Sequence, residues 1–401
     1  MSAVDPQRLP VGSWSCPTTL IAAEGASLGI AKVAALAQIG GSGPPPILVV
    51  VDEALLALPA VGALLAGVDD APVLPVSAEG VDRGFLDGVV AGMQAAAVAS
   101  GQAPLLVAIG GGSVMDAAKL AAHAASEPEV LDILDASSGG LLFRPGAPTD
   151  SAPVVCLPTT LGTASEVSPV ALFTSFGRGS TMVVGPGLRP RVAIVDPALT
   201  ATLTVGALAA GLLEPLARAL VPAVCGERLP LQDAQAGAIV ETLLVLGDRL
   251  AAGEAADPGW RRAAALSSIA THTSFLALGR SPMGHALWPL ATELMAEALT
   301  TKPVALARLL PRWLAGLESG RLGGPFGAAQ RVEEVLGMSA GGAAVRLASW
   351  VAALPLDNGR TAVEPAPDAV AARVISRWQE PGWFLPGADV DHVRWLLAAS
   401  G

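Results

Sequence analysis

The 401-residue sequence contains no tyrosine, and aromatic residues make up only 4% of it. Its 52% hydrophobic content comes mainly from Ala, Leu and Val, so the core must be aliphatic. Cysteine is scarce: Cys16, Cys156 and Cys225 lie far apart with no CxxC pair. That excludes a disulfide framework and a zinc knuckle, and leaves three small hydrophobes expected to be buried. No uninterrupted apolar run of about 18 residues occurs, so no membrane span is expected. The opening "MSAVDPQRLPVGSW" has no basic stretch followed by an apolar core, which predicts no signal peptide and a cytoplasmic protein. Basic side chains are the minority, 24 Lys and Arg against 35 Asp and Glu, for a net charge of -11. Binding to nucleic-acid phosphates needs clustered cations, so nucleic acid is excluded as a partner. With only 15% charged residues, the chain reads as a well-buried globular protein, long enough for two domains.

Four short apolar runs mark the first half: "PILVVVD" (46–52), "APLLVAIG" (103–110), "APVVCLPTT" (152–160) and "RVAIVDP" (191–197). Each is apolar on both faces and bounded by Gly, Pro or Asp, the pattern of a buried parallel strand. Ala-rich helical stretches at 85–100 and 113–126 lie between them, which predicts an open α/β sheet with helices on both faces. After Pro197 no convincing strand follows, and seven of the eight tryptophans fall from Trp260 onward. The expected organisation is an α/β nucleotide-binding domain over 1–198 and an all-α domain over 199–401. Clefts between domains are a usual place for small-molecule sites.

In "VAIGGGSVMDAAK" (107–119) a strand runs through three glycines into a helix. Glycines let backbone approach a pyrophosphate, and a helix N-terminus supplies free N–H groups and a positive dipole. The strand is expected to end at Ile109, with the helix starting near Ser113 as N-cap. The spacing is not GxGxxG, and a tight βα turn would need the same residues. A second loop, "LPTTLGTASEVS" (157–168), also follows a strand and is dense in hydroxyls. Two such loops at neighbouring strand ends fit a dinucleotide better than two unrelated turns.

"GGGSVMDAAK", then "PTTLGTASEVS" some forty residues on, then "VDPALT", resembles the iron-containing alcohol dehydrogenase family, relatives of dehydroquinate synthase and glycerol dehydrogenase. The resemblance runs from about Thr18 to Pro311. It implies a dehydroquinate synthase-like fold, NAD(P) in the cleft and a metal beneath the nicotinamide. By position, Gly110, Gly111, Gly112 and Ser113 would hold the pyrophosphate, with Asp116 in the same cofactor motif. Thr159, Thr160, Thr163 and Ser165 would line the cofactor. Asp52 falls where the family often has an acid beside the adenosine ribose; an acid accepts from the 2′-hydroxyl and repels a 2′-phosphate, which favours NAD over NADP. The lysine that the family places near the nicotinamide ribose falls at about Ser180, with Arg178 nearby.

The family's metal ligands are an Asp and a His four residues apart on one helix face, then two further histidines. The corresponding positions here are Glu214 and Arg218 in "AAGLLEPLARAL", His285 in "SPMGHALWPLATEL", and Lys302 in "TTKPVALARLLP". His285 aligns with either a ligand or a non-ligand histidine, depending on whether "WPL" or "GHA" is the anchor. A guanidinium cannot ligate a metal, so no bound catalytic iron or zinc is expected. A divalent metal plus one Asp leaves about +1 locally, the same sum as Glu214 with Arg218 and Lys302. The two cations suit stabilisation of a developing alkoxide or a clamp on a substrate carboxylate, and His285 suits a general base. The plain alternative is an i,i+4 ion pair with Lys302 at the surface. His123 and His272 read as structural and His392 as solvated.

The expected function is a metal-independent, NAD-dependent oxidoreductase acting on a hydroxyl or ketone in a carboxylate-bearing small molecule or peptide. Maleylacetate reductases are metal-free members of the resembled family. The resemblance extends to the dehydrogenases of daptide-type ribosomal peptide pathways, where a C-terminal Thr is oxidised and decarboxylated. Two other readings stand beside it: a non-catalytic scaffold keeping the cofactor fold, and a synthase or lyase of the dehydroquinate synthase type. A homodimer or a complex with a pathway partner is expected, with no membrane contact.

Overall fold

The computed structural model describes residues 16–30, 45–68, 71–77, 81–144, 152–175, 179–280, 286–298, 300–356, 366–378 and 390–398. The chain divides into two units, one made of Cys16–Leu203 with Ala256–Ala265, the other of Thr204–Ala255 with Leu266 onward.

Among the described residues the first unit has nine strands: β1 (Thr19–Ala22), β2 (Ile47–Asp52), β3 (Val73–Val76), β4 (Leu105–Gly110), β5 (Leu141–Phe143), β6 (Val154–Pro158), β7 (Val170–Ser175), β8 (Gly179–Val184) and β9 (Val192–Val195). Six form a sheet in the order β1-β9-β6-β4-β2-β3, every pairing parallel. Successive side chains of a strand point to opposite faces, and here both faces are buried. Val49, Val51, Val107, Ile109, Val155, Leu157, Val192 and Ile194 fill one core. Leu48, Val50, Leu106, Ala108, Val154 and Cys156 fill the other. That is why these strands read as continuous apolar runs rather than alternating ones. The three strands β5, β8 and β7 form a second, smaller mixed sheet.

Chain order reverses in the large sheet between β2 and β4, because β3 lies outside β2 on one side and β4 on the other. Parallel α/β sheets bind ligands beyond the strand C-termini at such a point. The helices of this unit are α1 (Pro59–Leu65), α2 (Arg83–Ser100), α3 (Gly112–Ser126) and α4 (Glu129–Ala136). Asp82 caps α2 by accepting from the Phe85 N–H at 2.8 Å, and Gly101 ends it in a left-handed conformation, φ 74°. From Val114 to Ala124 every side chain of α3 is buried, which its alanines permit.

The four expected strands and both expected helices are present, each within a few residues of its reading. The sequence reading missed β1, β3 and the small sheet. β1 and β3 are the two edges of the large sheet; β3 carries Pro75, tolerated only at an edge, and neither strand has a buried apolar run.

The second unit is helical: α5 (Val205–Cys225), α6 (Pro230–Ala251), α7 (Pro258–Thr273, whose first half belongs to the first unit), α8 (Leu287–Glu297), α9 (Lys302–Glu318), α10 (Ala329–Leu336), α11 (Ala340–Ala353), α12 (Pro367–Trp378) and α13 (Val390–Leu397). Thr204 caps α5 by accepting from the Ala207 N–H at 3.1 Å. α5 is long and apolar enough to cross a membrane, yet most of it is packed inside the protein, as in the core helix of a bundle. Tryptophans lock the bundle through their ring nitrogens: Trp313 donates to the Phe326 carbonyl at 2.7 Å and Trp350 to that of Leu244 at 2.9 Å.

Candidate active site

The glycine turn sits at the C-terminal end of β4. Gly110 is the last strand residue, Gly111 is the N-cap, and α3 starts at Gly112. Ser113 is therefore the second residue of the helix and not its cap, a correction to the sequence reading. Gly111 has no side chain, so the N-cap residue itself supplies no side-chain acceptor to the first N–H groups of α3. Each glycine lies close against a neighbour, Gly110 most tightly. A Cβ on Gly110 would come 2.7 Å from the Cβ of Val114; on Gly111, 3.1 Å from Thr160 Cγ2; on Gly112, 3.0 Å from Thr163 Cγ2. The glycine turn and the threonine loop thus pack directly on one another, and the Thr159 N–H donates to the Gly110 carbonyl at 3.0 Å. A helix N-terminus left open by three closely approached glycines fits a bound pyrophosphate.

The threonine loop holds two backbone positions in the left-handed region, Gly162 (φ 101°) and the buried Ala164 (φ 51°). Its far end is fixed from below. Ser165 Oγ donates to Asp116 Oδ1 at 2.5 Å, and the Leu172 N–H donates to Asp116 Oδ2 at 2.9 Å. Lys119 Nζ donates to Ser165 Oγ at 2.7 Å and to the carbonyls of Ser165 and Val170, and lies 2.9 Å from Asp116 Oδ1. The side chains of Asp116 and Ser165, read from the sequence as cofactor ligands, are thus engaged with each other and with the protein. Lys119 went unremarked at the sequence level, although a lysine inside an otherwise apolar helical stretch is the available signal.

Asp52 ends β2, and its carboxylate accepts from the Ala54 N–H at 3.1 Å. The register pairs Val51 with Ile109 and Gly110 with Pro158, so Asp52, the glycine turn and the threonine loop end three adjacent strands. Arg178 lies outside the described residues, and Ser180 is in β8, facing Thr174. Cys156 is in the sheet core and Cys225 is half-buried; burial pushes the Cys156 thiol far up and that of Cys225 to about 12, so neither is a thiolate nucleophile at neutral pH. Cys16 is half-buried.

In the helical unit the structure brings together three of the four residues read as a degenerate metal site. Glu214 lies one turn before Arg218 on α5, with Oε2 4.0 Å from Arg218 Nη1. Its other oxygen is 3.8 Å from Nζ of Lys302, at the start of α9. Arg218 donates from Nε to Thr271 Oγ1 and from Nη2 to Ser268 Oγ, both at 2.9 Å. Lys302 Nζ stands 4.8 Å over the Trp288 ring. Glu214 and Lys302 are buried, so Lys302 is not the surface residue of the plain alternative. His285 lies outside the described residues. Among the described residues no group of three His, Cys, Asp or Glu side chains is placed to hold a metal. A carboxylate bracketed by an ammonium and a guanidinium does not fit a divalent cation. Of the remaining histidines, His123 is fully buried, and His392 is half-buried with its ring centroid 5.3 Å from that of Phe326.

The architecture is a parallel α/β sheet unit followed in sequence by a helical bundle, with Gly and Thr loops at adjacent strand ends. The sequence model of the iron-containing alcohol dehydrogenase family matches residues 18–197 of the chain. The chain is 33% identical over 257 residues to the phosphonoacetaldehyde reductase of Streptomyces viridochromogenes, covering 62% of this chain and 63% of that one. The match thus spans less than two thirds of the reductase. The whole fold is that of NADH-dependent butanol dehydrogenase A from Thermotoga maritima, with TM-score 0.77, 18% identity and coverage of 96% and 97%. It is equally that of the sulfoacetaldehyde reductase from Bifidobacterium kashiwanohense, solved with NAD+, with TM-score 0.75, 18% identity and coverage of 97% and 99%.

Proposed function

We propose that this protein is an NAD-dependent oxidoreductase that interconverts an alcohol and a carbonyl compound without a catalytic metal, on a substrate carrying an anionic group. The observation that carries the reading is the bracketing of Glu214 by Arg218 and Lys302, at positions that the sequence resemblance assigns to the family's metal ligands. NAD bound at the glycine turn would supply or accept the hydride. The open α3 N-terminus would hold its pyrophosphate, and Asp52 would accept from the adenosine ribose and disfavour a 2′-phosphate. Arg218, held by Ser268 and Thr271, presents a guanidinium with a fixed orientation. With Lys302 it offers the positive charge that a developing alkoxide or a substrate carboxylate requires. The general base is assigned to His285 on sequence alone.

The phosphonoacetaldehyde and sulfoacetaldehyde reductases among its relatives act on small anionic aldehydes, which supports an anionic substrate here. A β-hydroxy acid also meets the description, a peptide's C-terminal threonine included. With NAD+ as the two-electron oxidant, its hydroxyl would be converted to a ketone, giving a β-keto acid of the kind that loses carbon dioxide readily.

The test is NADH oxidation with phosphonoacetaldehyde, sulfoacetaldehyde, succinic semialdehyde and butanal, alongside elemental analysis and chelator treatment. The expected result is faster turnover of the anionic aldehydes than of butanal, no stoichiometric iron or zinc, and activity that survives the chelator. About one iron or zinc per chain, with activity lost on chelation, would overturn the metal-free reading.

A further inference from the structure

Lys119 is 1% exposed, two turns along α3 from the glycine turn. A buried ammonium is strongly unfavourable unless it is paired and fully hydrogen-bonded. In glycine-loop nucleotide sites a nearby lysine is ordinarily aimed at phosphate. Here the ammonium turns inward instead, to Asp116 on its own helix and to Ser165 and Val170 on the segment that follows the threonine loop. Asp116 completes the arrangement with its second oxygen, which accepts from Leu172 at the start of the small sheet. The loop is therefore pinned at both ends. Its first residue donates to the glycine turn through the Thr159 N–H, and its last is held by Lys119 and Asp116. Between the pins the chain adopts left-handed conformations at Gly162 and Ala164, the second unfavourable for a residue with a Cβ.

We infer that Lys119 is a positioning residue: with Asp116 it fixes the Thr159–Ser165 loop against the glycine turn, and so sets affinity for the nicotinamide half of the dinucleotide. The inference rests on the cofactor assignment above. Its signature is selective, because ADP needs only Asp52 and the glycine turn, whereas NAD needs the loop as well.

The experiment is calorimetric titration of NAD and of ADP into the full-length protein, its Ser165→Ala variant, and the double variant Lys119→Met with Asp116→Asn. The double change removes both charges together, so no lone buried charge remains to unfold the chain. Ser165→Ala introduces no charge imbalance and carries the test if the double variant does not fold. Loss of one or two buried hydrogen bonds predicts a roughly tenfold or greater fall in NAD affinity. ADP affinity should change by less than about twofold over the same range, the size of a lost contact it does not make. Equal loss for both ligands would mean general destabilisation and overturn the inference, as would no change for either. Failure of the wild-type protein to bind NAD would overturn the cofactor assignment and this inference with it.

Discussion

Gly110 and Gly111 are neighbours, yet a side chain at each would fail for different reasons. A methyl group on Gly110 would sit 2.7 Å from Val114 Cβ, a branched residue one turn into the helix that cannot swing away. Gly110→Ala should therefore destabilise the fold itself, by about 1–3 kcal/mol, the usual cost of overpacking. At Gly111 the nearest atoms are the tip of Thr160, at 3.1 and 3.2 Å, so a side chain there can be accommodated by moving Thr160 into the cofactor's space. Gly111→Val should keep the fold and lose NAD binding. Thermal melting and NAD titration of the two variants separate the cases: a Gly111→Val protein with normal NAD affinity would show that the pyrophosphate lies elsewhere. A third residue at this scale is His123, near the far end of the same helix. Burial lowers its pKa below the ordinary 6.5, with Arg144 acting the same way and Glu127, 3.8 Å from Nε2, opposing. Its folded pKa is thus depressed, and below about pH 6.5 the unfolded chain binds more protons than the folded one. The associated stability is complete above that pH and declines as pH falls toward the folded value, by at most about 1.4 kcal/mol per pH unit. His123→Leu should flatten the fall in melting temperature between pH 7 and pH 5 relative to wild type.

At the scale of elements, one carboxylate ties two helices of the bundle together. Glu293 on α8 is 1% exposed and accepts from Arg373 Nε at 2.9 Å, Arg377 Nε at 3.0 Å and Trp378 Nε1 at 2.7 Å, all on α12. Breaking a buried pair from one side leaves uncompensated charge and costs about 3–5 kcal/mol. Glu293→Ala should lower stability by that amount in urea denaturation and expose α12 to limited proteolysis. Replacement with Gln keeps an acceptor and should cost less. None of this was legible in the sequence, where Glu293 is one acid among many in a helical stretch, and its partners lie about eighty residues away. What was legible follows one rule. Strands buried on both faces announced themselves as uninterrupted apolar runs, as at 46–52 and 103–110. The edge strands β1 and β3 did not, since a strand of four residues with no fully buried side chain has no pattern that distinguishes it from a loop. The α3 boundary was misread by one or two residues because Ser113 looks like a cap, whereas the third glycine already had helical geometry.

For the whole molecule, cofactor chemistry and substrate chemistry were legible to different degrees. The glycine and threonine loops are contiguous stretches, and their residue types alone carried the dinucleotide reading. The direct packing of Gly111 on Thr160 and of Gly112 on Thr163 only adds geometry to that reading. The Glu214, Arg218 and Lys302 cluster draws on helices α5 and α9, far apart in sequence. It could be anticipated only from family positions, and its supports Ser268, Thr271 and Trp288 not at all. The two sets of residues belong to different units, the loops to Cys16–Leu203 and the cluster to the helical one. That division makes the assignment of roles testable by separation. Changing Arg218 or Lys302 to Met keeps much of the side-chain volume and removes one charge. If the cluster stabilises an alkoxide or clamps an anionic substrate, each variant should lose about 2–5 kcal/mol of transition-state stabilisation, roughly 30-fold to several thousand-fold in turnover. NAD affinity should remain within about twofold of wild type, because no cofactor loop is altered. A loss confined to KM would assign the cations to ground-state substrate binding, and a loss in kcat to the reacting oxygen. Normal steady-state kinetics in both folded variants would show that the ion pairs only hold α5 to α9, and that the reaction uses other residues.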